Sequence, residues 1–449
     1  MAFAAGDIRV AERGEWLLDR IVATGSLVVR KLGVTRAGEM AVHRYLSSPY
    51  VSVEAILETA AARTAEHCAG RRIVAIQDTS EINFAGRSAR RRGLGPGGNG
   101  RDPGFFVHPM IAVDLDNEAV LGLVGGAIWT RVADRRGMRS QRAFAEKESA
   151  RWLDGCEMAA AALREAAGVT VIADRESDIY ELFAGCPAGL DLLVRAAQDR
   201  RLAEDGHHLF DALAGIPELA RRRIVVPPRG PGDKGREAQL VVKAGRVAIA
   251  RPKNRPASSA LPETIEMTLV EAIEIDPPNS KQAIAWRLLT THTVADADAA
   301  AAVIDQYRLR WRIEQVFRAL KRDGLDLEAS QLADAERLFI LTAMALAAAV
   351  RTIQLVDARD GSPRPMTDVV DAVFAAPLVA ISRSLEGRTA RQKNPHPPTS
   401  LAFVAWIAAR LGGWNCYYKP PGPKTMRDGW SQLAAMLHGY AIAQHEALP

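Results

Sequence analysis

The sequence predicts an α/β fold in which a strand-rich core, interrupted by a β-sheet insert, lies between helical N-terminal and C-terminal domains. Three observations support this prediction. Apolar runs of strand length alternate with helical patterns in the middle of the chain, Val, Pro and Gly dominate a stretch at about 200–275, and apolar residues recur at helical spacing near both ends. The length of 449 residues suggests about three domains, and the hydrophobic content of 48% is enough for a sizeable core.

The N-terminal domain, residues 1–65, is expected to consist of short helices. Apolar residues recur at helical spacing through GEWLLDRIVATGSLVVRKLG and again from Arg36 to Cys68. Ser52 is a candidate helix N-cap, and Glu54 would then lie in the first turn, where a carboxylate is favourable.

The core, residues 66–375, contains two apolar runs that stop at an aspartate. Ile73 to Ile76 precede Asp78, and Val169 to Ala173 precede Asp174. This pattern is typical of a buried strand that delivers a carboxylate to the edge of a sheet. An aspartate in such a place also serves as an N-cap, so for Asp174 alone both interpretations stay open.

A third acid, Glu314, lies on a helix predicted over residues 307–321, YRLRWRIEQVFRALK. At about 100° per residue, four polar side chains share one face of this helix and two more lie near it, while apolar residues form a separate stripe that can dock into a core. A solvated amphipathic helix is the alternative, because charged helix faces commonly point to water. The four side chains on the polar face are Tyr307, Arg310, Glu314 and Lys321, and the two that lie near it are Trp311 and Arg318.

The other segments follow from turn residues and composition. Asp116 and Asn117 predict the turn of a hairpin, and the β insert at about 200–275 predicts further hairpins between Asp174 and Glu314. Trp286 lies on a strand after the insert, where a plain core tryptophan is the alternative to a functional one. A Pro-rich basic linker then precedes the helical C-terminal domain, residues 395–449.

The charge distribution favours a polyanionic partner. The formal net charge is +5, the pI is about 9.1, and arginines cluster in three segments. For any single cluster, a solvated surface is the alternative. The clusters lie at Arg87–Arg101, Thr130–Arg142 and Val225–Pro256.

Other features exclude several classes of protein. The four cysteines are scattered without metal-binding spacing, so we expect no zinc site and a reducing, cytoplasmic compartment. The longest apolar stretch, Leu338 to Val350, is too short to span a bilayer, and the first residues do not have the pattern of a signal peptide. We therefore expect no membrane association.

The order of the predicted elements suggests an RNase H-like core. The predicted order is a strand ending in Asp78, two more strands, a helix, the Asp174 strand, a helix, a strand and the Glu314 helix. Three acids without Cys or His ligands suit Mg²⁺ or Mn²⁺. Two such ions, about 4 Å apart, activate a water or a 3′-hydroxyl at a phosphodiester.

These residues carry a resemblance to the DDE transposases of the insertion-sequence-4 family. The similar motifs include HRYLSSPYVSVEAI, QDTS, EKESARWL, DRESDIYELF, the Tyr307-Arg310-Glu314-Lys321 signature and LAFVAWIAARLGGW, and they span almost the whole chain. The resemblance implies that Asp78, Asp174 and Glu314 are the catalytic metal ligands. It also implies that Tyr307, Arg310 and Lys321 hold the DNA backbone near the cut.

Further roles follow from the same resemblance. Trp286 matches a tryptophan that stacks on a flipped thymine at a DNA hairpin, Arg195 matches an arginine near that hairpin, and Trp311 adds an aromatic wall. Arg318 stands where the family often has lysine, an exchange that keeps the charge but alters the geometry of phosphate binding. The first helix, RGEWLLDRIVATG, has fewer cations than the family's, which leaves the residues that read the transposon end open.

The resemblance therefore implies a bacterial cut-and-paste transposase, cytoplasmic and associated with the nucleoid when bound to DNA. Its partners would be transposon-end DNA, target DNA and a second copy of the chain, with the C-terminal helices forming a homodimer in a synaptic complex. Two alternatives remain. One is an RNase H-like nuclease that cleaves without strand transfer, and the other is a non-catalytic DNA-binding inhibitor of transposition.

Overall fold

A computed structural model describes most of the chain, and the chain divides into two compact units. The first unit comprises residues 1–69, 79–138 and 312–449, and the second comprises residues 70–78 and 139–311. The described residues are 7–85, 91–131, 144, 147–203, 207–226, 235–253, 260–278, 283–321, 325–362 and 364–446.

The described residues form a mixed α/β protein. The strands are β1 Arg72–Gln77, β2 Ser80–Asn83, β3 Gly95–Pro96, β4 Pro103–Asp114, β5 Val120–Trp129, β6 Gly168–Ala173, β7 Leu190–Arg195, β8 Glu218–Val226, β9 Arg236–Ala250, β10 Thr264–Ile275 and β11 Ala285–Thr290. The helices are α1 Ile8–Thr24, α2 Val29–Gly33, α3 Arg36–Leu46, α4 Val53–Cys68, α5 Arg151–Ala162, α6 Tyr180–Gly185, α7 Leu209–Gly215, α8 Ala297–Arg308, α9 Trp311–Lys321, α10 Ala335–Ala358, α11 Ala375–Leu385, α12 Leu401–Leu411 and α13 Pro423–Glu446.

The first unit combines helices from both ends of the chain with a small antiparallel sheet. In that sheet β2, β3 and β5 each pair with β4. The predicted turn at Asp116 and Asn117 joins β4 to β5 and is therefore confirmed. The predicted cap is also confirmed, because the Ser52 hydroxyl accepts a hydrogen bond of 3.1 Å from the backbone N–H of Ala55 at the start of α4.

The central helix of the first unit is α10. The apolar stretch Leu338–Val350 was too short to span a bilayer, but it lies within this 24-residue helix, which by length and composition alone is long and apolar enough to cross a membrane. About 72% of its most apolar window is buried within the protein, as is usual for the core helix of a globular domain. The apolar content of α10 is thus accounted for by packing.

The second unit is built on one sheet that continues from parallel to antiparallel strands. β1, β6 and β7 are parallel neighbours, and β7 then pairs with β11 in the antiparallel sense. β11 pairs with β10, β10 with β9 and β9 with β8. β8, β9 and β10 lie in the predicted insert and are antiparallel neighbours, and they extend the same sheet through β11 rather than form a separate β unit.

The prediction of one continuous helix over residues 307–321 was wrong. Helix α8 ends at Arg308 and α9 begins at Trp311. The N–H groups of Leu309 and Arg310 instead bond to carbonyls three residues back, those of Gln306 and Tyr307, each at 3.0 Å. This tighter turn buries Leu309 and separates Tyr307, in the last turn of α8, from the rest of the polar face.

The C-terminal helical segment is not one continuous helix. It consists of α12 and α13, with residues 412–422 between them. Gly412 and Gly429 allow the two helices to approach closely, because a Cβ at Gly429 would clash with the carbonyl oxygen of Ala408. The contact between these helices therefore depends on the absence of side chains at both glycines.

Candidate active site

Asp78 and Asp174 lie at the same edge of the sheet in the second unit. They follow the carboxyl ends of β1 and β6, two parallel neighbours whose last paired residues are Ile76 and Ile172. In this register Asp78 and Asp174 each lie two residues beyond the last pair, so both acids reach the same edge of the sheet. The prediction that a buried strand delivers each of these carboxylates to a sheet edge is confirmed, and the structure shows that the two edges are the same.

Arg310 connects the two aspartates. Its Nη1 donates a 3.0 Å hydrogen bond to Oδ2 of Asp78 and lies 4.0 Å from Oδ2 of Asp174. Its side chain is buried, and the Asp78 and Asp174 side chains are 16% and 24% exposed. The two carboxylates therefore point towards the same positive charge, the guanidinium of Arg310.

Asp174 has a second role in the local fold. Its Oδ1 accepts a 3.1 Å hydrogen bond from the N–H of Glu176, which caps the short 3-10 turn Arg175–Ser177. The N-cap interpretation is thus correct, and it leaves Oδ2 directed towards Arg310. One carboxylate both fixes the turn and contributes to the acidic site.

An aromatic and basic wall stands beside the aspartates in the second unit. The rings of Trp286 on β11 and Tyr307 on α8 meet edge to face with their centroids 5.7 Å apart. Burial raises the pKa of the Tyr307 hydroxyl, while Arg310 and Arg195 lower it and Asp174 raises it further. Arg310, Arg195 and Asp174 therefore lie within electrostatic range of the Tyr307 hydroxyl.

Arg195 ends β7 and is held against β11. It pairs in register with Leu288, and its Nη2 donates a 3.2 Å hydrogen bond to the carbonyl of Ala285, the residue before Trp286. The structure therefore brings together Asp78, Asp174, Arg195, Trp286, Tyr307 and Arg310, which the sequence places more than 200 residues apart at the extremes.

A fully solvated polar face, the alternative for residues 307–321, is wrong for two of its members. Tyr307 is 3% exposed and Arg310 is 7% exposed. Trp311, by contrast, is 54% exposed, and the Arg310 guanidinium lies 4.8 Å from the centre of its ring. Trp286 is half-buried, which fits both a functional tryptophan and a core one.

The remaining predicted residues belong to the first unit. Glu314 lies in the first turn of α9 and is half-buried. Lys321, in the last turn, donates to the backbone carbonyl of Glu81 on β2. Arg318 is exposed and lines a cavity of about 410 Å³ on the flank of α9, together with Arg312, Gln315, Ala319, Val356, Asp357, Arg359, Asp360 and Pro423.

The donor chemistry of the acidic edge fits a hard divalent cation. Two carboxylates already face one positive group, and Mg²⁺ and Mn²⁺ prefer carboxylate oxygens. Among the described residues, no group of three or more His, Cys, Asp and Glu side chains is arranged to hold a metal ion. In this arrangement the guanidinium of Arg310 provides the positive charge at the two aspartates.

Some contacts around the site have no counterpart in the local sequence patterns. Arg200 forms a buried ion pair with Asp178, four residues after Asp174, and no local pattern marks Arg200 as a partner. Of the basic clusters, residues 86–90, 132–143, 227–234 and 254–259 lie outside the described part of the chain. The polyanion prediction for those segments stays a prediction.

The model of the transposase DDE domain matches residues 72–350, well over half of the chain. The match begins at β1, which leads to Asp78, includes Asp174 and Glu314, and ends within α10. DDE transposases generally use divalent metal ions and act on transposon DNA. The chain belongs to the DDE-domain transposase family.

Proposed function

We propose that this protein is a cut-and-paste DNA transposase with an RNase H-like core, of the insertion-sequence-4 type and similar to the transposon-5 transposase. The observation that supports it best is the pairing of Asp78 and Asp174 around one positive group, beside a wall of Trp286, Tyr307 and Arg195. An acidic cation site next to an aromatic and basic surface is suited to DNA cleavage.

In this proposal Asp78, Asp174 and Glu314 hold two Mg²⁺ or Mn²⁺ ions. Glu314 is assigned by the family signature and by its place in the first turn of α9. When bound, the ions supply Lewis acidity that activates an attacking oxygen and stabilises the leaving oxygen at a phosphodiester. The three carboxylates then serve as oxygen ligands, and they fix where the scissile phosphate lies.

The cations of the site bind and orient the DNA. Arg310 and Lys321 contact backbone phosphates near the cut, and Arg318 adds a contact from the exposed side of α9. In the present structure Arg310 bonds to Asp78, so phosphate binding requires its guanidinium to exchange one anionic partner for another. Tyr307 packs under Trp286 and holds that ring in place.

Trp286 and Arg195 act at the second strand. Base stacking on an aromatic ring contributes about 1–3 kcal/mol, which offsets part of the cost of flipping a base out of the duplex. The half-buried Trp286 has an edge-to-face neighbour that fixes its orientation, and Arg195 lies beside it. Trp311, which is exposed, provides a further aromatic face for the DNA, as the resemblance implies.

The proposed reaction has four strand events. Water cleaves the phosphodiester at the transposon end and leaves a 3′-OH; this 3′-OH attacks the opposite strand, forming a hairpin and releasing the flanking DNA. Water then opens the hairpin, and the regenerated 3′-OH attacks target DNA, displacing a target 3′-oxygen. Two copies of the chain, paired through the C-terminal helices, hold two ends in a synaptic complex.

The test uses plasmid DNA that contains the gene with its natural flanking sequences. Wild-type protein is expected to give Mg²⁺-dependent double-strand breaks at the element's ends, which sequencing of the junctions locates. Asp78→Asn, Asp174→Asn and Glu314→Gln should give no product while still shifting end DNA in a gel. Glu176→Gln, a change at the exposed acid beside Asp174, is the control. Cleavage at wild-type rates by any of the three variants would overturn the assignment.

A further inference from the structure

A buried ion pair joins the turn after β6 to the segment after β7 in the second unit. Asp178 follows Asp174 by four residues, and its carboxylate is 2.7 Å from the guanidinium of Arg200. The Asp178 side chain is fully buried and that of Arg200 is 6% exposed. Neither residue has a place in the proposed reaction.

The Asp178 carboxylate is fully engaged and is not directed at the metal site. Its Oδ2 accepts hydrogen bonds of 2.7 Å from the backbone N–H groups of both Ala197 and Gln198. Its Oδ1 accepts from Nε of Arg200, also at 2.7 Å. A carboxylate that accepts three hydrogen bonds from one loop acts as an anchor for that loop.

The backbone of Asp178 strengthens the same anchor. Its carbonyl oxygen accepts from Nε2 of Gln198 at 2.9 Å and from Nη2 of Arg200 at 2.5 Å. The Arg200 guanidinium also lies 5.3 Å from the ring centre of Phe183 on α6. Five hydrogen bonds therefore tie the turn after β6 to the segment after β7.

The two tied segments carry site residues on both sides. Asp174 lies at the start of the turn after β6, and Arg195 is the last residue of β7, two residues before Ala197. Arg195 in turn bonds to the carbonyl of Ala285, beside Trp286. The ion pair thus fixes the spacing between the acidic edge and the wall of Arg195, Trp286 and Tyr307.

The choice of residues favours a positioning role over a purely stabilising one. A buried ion pair gains little net stability, because the charges must be desolvated, but its directional hydrogen bonds specify one geometry. Apolar side chains would fill the same space without fixing the two loops relative to each other.

We propose that Asp178 and Arg200 are positioning residues that hold Arg195 and Trp286 in register with Asp174, and so control the hairpin step more than the first nick. This inference rests on the proposed function. The first nick needs the acidic edge, whereas the hairpin also needs the aromatic and basic wall at the correct distance. A displacement of about 1 Å is enough to lower a rate by up to about 100-fold.

The test compares nicking and hairpin formation on the same end-bearing duplex. Asp178→Asn keeps the shape of the side chain but sets an amide against donors, and Arg200→Lys keeps the charge but loses the planar fork. Both should nick at close to the wild-type rate and form hairpins up to about 100-fold more slowly. Glu176→Gln, which alters the exposed partner of Arg151 in the same turn, should leave both steps unchanged.

Hydrogen exchange supplies a readout that is independent of catalysis. In both variants the amides of Ala197 and Gln198 should lose protection, since their acceptor is weakened or displaced. If the wild-type protein cleaves no DNA, the proposed function fails, while protection of these amides still tests the anchor. Lost protection with an unchanged ratio of hairpin to nick would overturn the positioning role, as would unchanged protection. If Asp178→Asn does not fold, Arg200→Lys decides between these outcomes.

Discussion

Replacing Arg310 with alanine removes the guanidinium that lies between Asp78 and Asp174, and should make the DNA-free protein bind Mn²⁺ more tightly. The hydrogen bond from Arg310 to Asp78 is 3.0 Å long, and both side chains are largely buried. A hydrogen bond to a charged group contributes about 1.5–3 kcal/mol, which a metal ion must overcome to displace Arg310. Its removal should therefore strengthen Mn²⁺ binding by about 10- to 150-fold.

Isothermal titration calorimetry of Mn²⁺ into wild-type and Arg310→Ala protein, without DNA, measures this difference. Arg310→Lys retains a positive charge with a poorer geometry and should fall between the two. In an Asp78→Asn background the Arg310→Ala change should no longer strengthen binding, since the displaced partner is gone. An affinity for Mn²⁺ that is unchanged or weaker in Arg310→Ala would refute the idea that the guanidinium occupies the cation site.

Three further predictions concern other parts of the chain. Trp286→Ala should nick normally but form hairpins about 5- to 150-fold more slowly, because about 1–3 kcal/mol of base stacking is lost. Trp286→Phe should recover part of the rate of hairpin formation, and denaturing gels measure both products. An equal loss of nicking would argue against a stacking role. Gly429→Ala should destabilise the fold by about 1–3 kcal/mol in urea unfolding, because the new Cβ meets the carbonyl of Ala408. Gly439→Ala, on the open side of the same helix, should stabilise the fold by about 0.5–1 kcal/mol. Equal effects of the two changes would contradict the close approach of α12 and α13. Burial is the largest cause that lowers the pKa of His67 below its ordinary value; the nearby Arg364 and Arg63 lower it as well, whereas Asp368 and Glu66 raise it. As the pH falls, the unfolded chain therefore takes up a proton at this histidine before the folded protein does. The free energy of unfolding should thus fall as the pH drops below about 6.5. His67→Gln should remove that part of the pH dependence, and an unchanged slope would show that His67 does not cause it.

Local sequence patterns were sufficient to predict the strands that deliver the aspartates. An apolar run followed by an acid is a short-range signal, and β1 and β6 end directly before Asp78 and Asp174 as expected. The cap at Ser52 and the turn at Asp116 were equally local. Each of these predictions depended on fewer than about ten consecutive residues.

Contacts between distant residues could not be predicted in the same way. Arg310 and Asp78 are 232 residues apart in the chain, and their hydrogen bond depends on how α8 and the sheet pack. The break between α8 and α9 is of the same kind, since helical periodicity continues across residues 307–321 and only the hydrogen-bonding pattern of Leu309 and Arg310 reveals the turn. The Asp178 anchor likewise joins loops whose sequences do not indicate each other.

Strand transfer from a precut transposon end tests the central claim most directly. A duplex that ends at the element's terminal 3′-OH is incubated with the protein, Mg²⁺ and a target plasmid, and joined products are separated and sequenced. We predict covalent joining of the 3′-OH to the target by the wild-type protein and no joining by Asp78→Asn, Asp174→Asn or Glu314→Gln. Hydrolysis of DNA without any joined product would contradict the proposed transposase and favour a nuclease of the same fold.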